Sequence, residues 1–261
     1  MCGRYVITSS PAAIRALFGY PEQPNFPARY NVAPTQPIAV VRLHEGRRQF
    51  ALMRWGLIPS WVKDPKTFSL LINARGESVI DKPAFRAAMR RRRCLIPADG
   101  FYEWKEIGGR KQPYFVHMRT GGPFAFAGLW ETWTGPNGEE MDTAAIVTTS
   151  ANRTLSAIHD RMPVIVPPDA FDFWLDSAKV DAQTAAALIV PAREDLFEGY
   201  EISTAVNRVA NDSPALIAPA PAPAPAADAA RAGPAPAEAN ASPRQVKPKA
   251  ANKHSGQGSL F

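Results

Sequence analysis

The sequence predicts an α+β fold in which strands dominate, and two observations lead to this prediction. Short segments rich in β-branched and aromatic residues follow one another through the first 217 residues, and each is bounded by Pro, Gly or Asp. Helical segments are fewer and are scattered between them, whereas a doubly wound sheet would alternate strands and helices regularly. We therefore expect a β-rich single domain of mostly antiparallel strands with peripheral helices.

The predicted strands are short segments, rich in β-branched and aromatic residues. In chain order they are CGRYVI, PIAVVRL, RRQFALMRWGLI, RRCLIPADGFYEW, QPYFVHM, PFAFAGLWETW, TAAIVTTS, MPVIVP and EISTAV.

The predicted helices begin at recognisable caps. SSPAAIRALF has a Ser that can cap the first turn and a Pro within it, and DKPAFRAAMRRR has an Asp before a Pro. The remaining helical segments are NRTLSAI, PPDAFDFWL and DAQTAAALI. We expect the run Arg90, Arg91, Arg92, Arg93 at the end of the second helix to be a solvated helix face.

The composition changes abruptly near Ala218, where alternating Ala and Pro give way to small and basic residues. Such a segment cannot bury a core and favours extended, polyproline-like conformations. We therefore predict a folded domain over residues 1–217 and a disordered tail over residues 218–261.

Composition excludes several classes of protein. The chain has 261 residues, 46% of them hydrophobic, and a formal net charge of +6, which makes an anionic partner plausible. Cys2 and Cys94 provide neither a disulfide framework nor a zinc-binding spacing. No stretch resembles a signal peptide, a membrane span, a GxGxxG motif or a P-loop. We expect a soluble, cytoplasmic, monomeric protein without metal or cofactor.

The second residue is the first candidate for chemistry. Removal of Met1 would leave Cys2 with a free α-amine and a thiol on adjacent carbons. An α-amine titrates near pH ~7.7–8.0 and a thiol near ~8.5, so both are partly nucleophilic at neutral pH. Such a 1,2-aminothiol condenses with an aldehyde to give a thiazolidine. The alternative is that Cys2 is a small residue at the start of a strand.

Three later segments place polar residues where a core strand would not. In LLINARGES, Asn73, Arg75 and Glu77 share one face at a period of two. PADGFYEWK contains Glu103, and SAIHDRMPVIV contains His159 beside an acid and an arginine. Each residue also has a structural interpretation: Asn73 as a turn cap, Glu103 as an exposed strand residue, and His159 as a cation at a helix C-terminus.

These segments together resemble the SRAP (SOS response-associated peptidase) family. The resemblance is carried by MCGRY, YNVAPTQ, RWGLIPSW, INARGES, CLIPADGFYEW, IHDRMP and STAVN, which occur in the family's order and spacing over roughly residues 2–217. It implies a protein that binds single-stranded DNA containing abasic sites and cross-links to them through the N-terminal cysteine. It also leaves open a lyase-type activity and reversal of the cross-link.

The resemblance also implies roles for individual residues. Cys2 falls at the nucleophile, and Asn73, Glu103 and His159 fall at the other catalytic positions. The implied DNA-contacting positions are Arg4, Asn31, Pro34, Trp55, Trp61, Arg75, Trp104 and Arg161. We assign proton transfer at the Cys2 amine to Glu103, proton transfer on the sugar to His159, and orientation of the cysteine to Asn73.

One feature of this assignment is difficult for a regular strand. Glu103 and Trp104 are neighbours, and successive side chains of a strand point to opposite faces. We therefore expect both to line one DNA groove only if they lie at a strand end or at a bulge.

Two alternatives remain at this point. One is a cysteine peptidase with Cys2 as its N-terminal nucleophile, although only Met1 precedes Cys2 and self-processing would be trivial. The other is a non-covalent single-stranded DNA-binding module in which Cys2 is structural. Neither alternative requires an aminothiol.

The last residues, QGSLF, resemble the short peptide with which bacterial polymerases and repair proteins bind the sliding clamp. Gln257 is followed after two residues by Leu260 and Phe261. In such a peptide the two apolar side chains fill a pocket and the Gln amide bonds to its rim. A flexible tether of ~40 residues gives an effective concentration of about a millimolar, so weak binding of the peptide to the clamp would be sufficient to recruit the folded domain.

We expect the tail peptide to bind the replication sliding clamp with a dissociation constant in the micromolar range. The measurement is a fluorescence-anisotropy titration of the labelled peptide against the clamp. The peptide with both Leu260→Ala and Phe261→Ala is the control, and equal binding by the two peptides would refute the prediction.

Overall fold

The computed structural model describes residues 2–221, which belong to one compact unit ending at Pro221. The predicted clamp-binding residues Gln257, Leu260 and Phe261 lie outside the described residues. The described part of the chain contains the strands β1 (Tyr5–Ile7), β2 (Arg29–Val32), β3 (Pro37–His44), β4 (Arg47–Trp55), β5 (Asn73–Arg75), β6 (Arg93–Ala98), β7 (Gly100–Ile107), β8 (Arg110–Met118), β9 (Phe124–Thr134), β10 (Glu140–Ser150), β11 (Arg161–Pro163), β12 (Ile165–Val166) and β13 (Phe197–Glu201).

The helices of the described residues are short. They are α1 (Pro11–Phe18), α2 (Arg86–Arg91), α3 (Arg153–Ser156), α4 (Phe171–Leu175) and α5 (Ala182–Ala185), with 3-10 turns at Gly76–Ser78, Pro168–Ala170, Ala186–Leu188, Thr204–Asn207 and Pro214–Ile217. The predicted α+β class with dominant strands is therefore confirmed. None of the helices within residues 2–221 is long and apolar enough to cross a membrane.

The strands form two sheets. The five-stranded sheet is antiparallel in the order β13-β8-β7-β1-β2. The other sheet has eight strands, and its members β10, β4, β3, β6 and β9 close on themselves because β9 pairs with both β6 and β10. Among residues 2–221, only the pairings of β10 with β4 and with β5 are parallel. This closed ring is the barrel-like part of the fold, and its interior contributes much of the buried core.

The segment RRCLIPADGFYEW was predicted as one strand, and that prediction is wrong. The chain leaves the eight-stranded sheet at Ala98 and enters the five-stranded sheet at Gly100, so that Asp99 marks the crossing between β6 and β7. A Cβ on Gly100 would lie 2.4 Å from Phe115 Cε2, so the close approach of β7 to β8 requires glycine there.

Asp99 ties this crossing to the N-terminal strand. Its Oδ2 accepts hydrogen bonds from the backbone N–H groups of Thr8 at 2.6 Å and Ser9 at 2.8 Å, and its Oδ1 accepts one from the Ser9 hydroxyl. The backbone N–H of Asp99 donates to Val6 O at 2.8 Å. The end of β1 is therefore fixed at the junction of the two sheets.

Two other predictions from the sequence need correction. EISTAV is not a strand throughout, because β13 ends at Glu201 and a 3-10 turn capped by Ser203 follows. The arginine run is a solvated helix face only at Arg90 and Arg91. The guanidinium of Arg93 is buried and donates to the backbone carbonyls of Met89, Trp174 and Val180.

Asp99→Ala should lower the free energy of unfolding by about 2–3 kcal/mol, because it leaves two partly buried backbone N–H groups without an acceptor. The measurement is urea denaturation. Asp64→Ala is the matched control, since Asp64 also accepts a backbone N–H, from Lys66, but in an exposed loop. Equal destabilisation by the two variants would contradict this role of Asp99.

Candidate functional site

Cys2 lies inside the protein, just before β1. Its side chain is fully buried, and its Sγ lies 3.8 Å from Arg4 O. The Asn73 side chain, at the start of β5, donates from Nδ2 to Cys2 O at 3.0 Å. The Asn73 Oδ1 is buried without a hydrogen-bond partner among the described residues. Asn73 therefore fixes the backbone of Cys2, and its carbonyl oxygen is available as an acceptor for another donor.

Glu103 is a buried carboxyl group close to Cys2. It lies on β7 and is 3% exposed. Burial raises the pKa of Glu103 to about 7 from its ordinary value of 4.5. Burial also raises the pKa of the Cys2 thiol well above its ordinary value, and the neighbouring Glu103 carboxylate raises it further. Glu103 can consequently accept or release a proton near neutral pH, whereas the enclosed thiol is mainly protonated.

His159 lies in the loop between α3 and β11, after α3 has ended at Ser156. Burial lowers the pKa of the His159 imidazole, so the neutral ring predominates at pH 7. Its Nδ1 accepts a hydrogen bond from the Arg161 backbone N–H at 3.0 Å, which places the proton of the neutral ring on Nε2. Asp160 Oδ1 lies 2.8 Å from the same Nδ1 and becomes its acceptor when the ring is protonated. His159 thus has a hydrogen-bond partner in each protonation state.

Glu103 and His159 line the same open cleft, of about 580 Å³. Its other lining residues are Trp104, Glu106, Lys111, Ile158 and Asn207. The four residues predicted to be catalytic therefore lie together: Cys2 is bonded by Asn73 and lies beside Glu103, which shares the cleft with His159.

Glu103 and Trp104 both line this cleft although β7 contains no bulge against β8. The reason lies on the other side of β7. The pairing with β1 ends where Tyr102 N donates to Arg4 O, and beyond this point β7 is an edge strand. A cleft at the edge of a sheet can be reached by side chains from both faces, so neither a bulge nor a strand end is needed.

Arg4 and Asn31 hold the wall of the cleft. Arg4 Nη1 donates to Asn31 Oδ1 at 2.9 Å and to Val206 O at 2.8 Å. Asn31 is fully buried, and its Nδ2 lies 2.8 Å from Asn211 O. Both side chains thereby hold residues 204–211 in place. Within this segment, Asn207 Oδ1 accepts a hydrogen bond from the Trp104 indole N–H at 2.8 Å. In this structure Asn31 has no surface available for DNA, and its role is to position the wall.

The other predicted DNA-contacting residues differ in exposure. Trp55 is fully buried and donates its indole N–H to Ile72 O, so it belongs to the core. Trp61 is 59% exposed and packs edge-on against Phe68, whose ring centre is 5.6 Å away. Pro34 is half-buried, and Arg75 is exposed.

Arg161 is already paired. Its Nη1 and Nη2 lie 2.5 and 2.9 Å from the two carboxylate oxygens of Glu77, and Nη2 also donates to Thr148 O at 2.8 Å. Its side chain is 15% exposed, whereas that of Glu77 is 54% exposed.

Sequence reasoning did not assign Lys111 or Asn207 to the site. Lys111 is opposite Glu106 in the β7–β8 ladder, a pairing that becomes visible only when the register of the hairpin is known. Asn207 belongs to the quoted motif STAVN but had no assigned role. The described residues contain no group of three or more His, Cys, Asp or Glu side chains arranged to hold a metal.

Glu103→Gln should raise the free energy of unfolding at pH 8. The carboxyl ionises near pH 4.5 when unfolded and near 7 when folded, so the wild type loses stability as pH rises through this interval. The variant avoids this loss, which is at most about 3.5 kcal/mol at roughly 1.4 kcal/mol per pKa unit.

The measurement is urea denaturation at pH 5 and pH 8, with Glu106→Gln at the exposed end of the same strand as the control. The stabilisation by Glu103→Gln should be small at pH 5 and absent from the control at both values. A stabilisation that does not depend on pH would show that desolvation of the Glu103 carboxylate is not its cause.

Comparison with known proteins identifies the family. The family model described as SOS response associated peptidase (SRAP) matches residues 1–209. The chain is 40% identical to the abasic site processing protein YoqW of Bacillus subtilis over 83% of this chain and 99% of that protein. It is 33% identical to the abasic site processing protein HMCES of Gallus gallus over 84% of this chain and 78% of that protein. A crystal structure of a Bacteroides thetaiotaomicron protein, 24% identical, matches the fold with a TM-score of 0.74 over 84% of this chain and all of that one. The chain therefore belongs to the SRAP family.

Proposed function

We propose that this protein recognises abasic sites in single-stranded DNA and captures them covalently through Cys2 after removal of Met1. The observation that carries the proposal is the arrangement of Cys2. Its backbone is fixed by Asn73 at 3.0 Å, and it lies beside a carboxyl group that ionises near pH 7. Relatives whose names describe them as abasic site processing proteins support the choice of substrate.

The chemistry requires an aldehyde, and the ring-opened abasic sugar provides one at C1′. The Cys2 amine adds to this carbon to give a carbinolamine, which loses water to form an imine. The thiol then adds to the imine carbon, its proton passes to nitrogen, and a thiazolidine results. The overall change is aldehyde plus aminothiol to thiazolidine plus one water.

The residues around Cys2 fit the proton transfers of this sequence. Glu103 accepts a proton from the Cys2 ammonium and can return it to the departing hydroxyl, because its carboxyl group titrates near pH 7. The neutral His159 serves the sugar side of the cleft, where it can assist ring opening and reversal. The thiazolidine would protect the strand, since a trapped imine no longer undergoes β-elimination.

DNA contacts are proposed for two cationic side chains and two tryptophan rings. Arg75 can neutralise a phosphate, and Trp104 and Trp61 offer stacking surfaces worth ~1–3 kcal/mol per base without sequence preference. Lys111 adds a positive charge in the cleft wall. Arg4 acts mainly by holding residues 204–211, which carry Asn207.

Peptidase activity is the alternative suggested by the family's description. A peptidase would use the Cys2 thiol as a nucleophile, yet burial raises the pKa of that thiol and keeps it mainly protonated. An attack that begins with the amine has no such requirement for a thiolate. The structure therefore favours the DNA reaction over peptide hydrolysis.

The wild type should form a denaturant-resistant, nuclease-sensitive adduct with an abasic single-stranded oligonucleotide. Cys2→Ala should form no stable adduct, and Cys2→Ser should form one that is far less stable, because its product would be an oxazolidine. The measurement is a denaturing gel after a timed incubation. An uncleaved N-terminal tag acylates the Cys2 nitrogen, so cross-linking that survives such a tag would contradict the mechanism.

A further inference from the structure

Glu77 is the residue of the INARGES segment that the proposed reaction does not use. It lies in the 3-10 turn Gly76–Ser78, directly after β5, and its carboxylate forms a two-pronged pair with the Arg161 guanidinium. Arg161 begins β11, so this ion pair connects the elements on the two sides of β10.

The backbone places Glu77 between two arginines. On one side of β10, Thr148 is opposite Arg75 of β5. On the other side of β10, Ser150 is opposite Arg161 of β11. A Cβ on Gly76 would lie 2.1 Å from Ile189 Cγ2 and 3.1 Å from Thr148 O, so only glycine allows the turn to approach β10 this closely. The hydrogen bond from Arg161 lowers the pKa of Glu77, and the charge of Arg75 lowers it further.

The geometry at Arg161 is that of an anion site occupied by a carboxylate. Arg–carboxylate and Arg–phosphate pairs use the same planar fork of donors. The Arg161 guanidinium is also anchored by its hydrogen bond to Thr148 O. The Glu77 side chain, by contrast, is more than half exposed and belongs to a short turn. Its Nε is buried and lacks an acceptor among the described residues, so Glu77 does not satisfy the guanidinium completely.

We propose that Glu77 is an internal competitor for DNA phosphate at Arg161 and sets how weakly the protein binds undamaged strands. This inference rests on the proposed function. A phosphate that reaches Arg161 must displace the Glu77 carboxylate and then lies near its negative charge, so every phosphate contact at this position is weakened. Non-covalent binding of intact DNA is thereby limited, while an abasic site gains its stability from the covalent bond to Cys2.

The test is the affinity of the full chain for an intact, fluorescein-labelled single-stranded oligonucleotide, measured by anisotropy at several salt concentrations. Glu77→Gln should bind roughly fivefold more tightly than the wild type at low salt. Its plot of log affinity against log salt should be steeper by about 0.7, the slope of one additional neutralised phosphate on a single strand. Glu77→Ala, which changes the shape as well as the charge, should shift both quantities in the same direction.

Glu140→Gln is the matched control for simple removal of one negative charge. Glu140 is exposed at the start of β10, eight residues and roughly 26 Å along the strand from Thr148. In an Arg161→Gln background, Glu77→Gln should have no larger effect than the control. An equal gain for Glu77→Gln and Glu140→Gln would show only a general charge effect and overturn the proposal. Weaker binding by Glu77→Gln would also overturn it, because Glu77 would then orient Arg161 for DNA.

Intact DNA has no aldehyde, so this titration is independent of the cross-linking reaction. If the wild type failed to capture abasic DNA while Glu77→Gln still bound intact strands more tightly, the proposed function would fail and the inference about Glu77 would stand. If capture occurred and the affinity for intact strands did not depend on Glu77, only the inference would fail.

Discussion

The hydrogen bond from Asn73 to the Cys2 carbonyl joins two residues from different sheets. Cys2 leads into β1 of the five-stranded sheet, and Asn73 begins β5 beside β10 of the eight-stranded sheet. The site can form only if the N-terminus is held at this junction. Asp99 supplies the second attachment by binding the backbone just after β1 at the point where the chain crosses between the sheets. A chain end, which is usually poorly ordered, is in this way fixed well enough to carry chemistry.

Burial of the site at this junction lowers the stability of the folded protein. A carboxyl group at Glu103 and a thiol at Cys2 are both removed from water, and the pKa of each is raised as a result. Desolvation of an ionisable group reduces stability at the pH where the group would otherwise be charged. This loss of stability falls at the position where the proposed reaction requires a proton to move near neutral pH. The Arg161–Glu77 pair is a different case, because it is partly exposed and the proposed reaction does not use its acid.

The sequence was sufficient for the fold class and for the residues that meet around Cys2. Local patterns predicted β3, β4, β8, β9 and α1 because the period of apolar residues, the turns and the caps are properties of neighbouring residues. The crossing at Asp99 was missed because an apolar run looks the same whether it stays in one sheet or changes to another. Asn31 and Trp55 were assigned to the DNA surface, but their burial depends on distant segments, residues 204–211 and Ile72. The pairing of Arg161 with Glu77 was likewise invisible, since the two residues are 84 positions apart.

Peptide mass spectrometry of the adduct tests most directly whether the Cys2 aminothiol forms the bond to DNA. After capture of abasic DNA, tryptic cleavage of the mature chain should release the peptide Cys2-Gly3-Arg4 carrying the sugar remnant. The mass of the adduct should equal the mass of the peptide plus that of the aldehyde form of the sugar remnant, less one water. Sodium borohydride treatment should add no hydride because no imine remains. An adduct on Lys111 in the cleft wall, or one at Cys2 that borohydride reduces, would contradict capture by the Cys2 aminothiol.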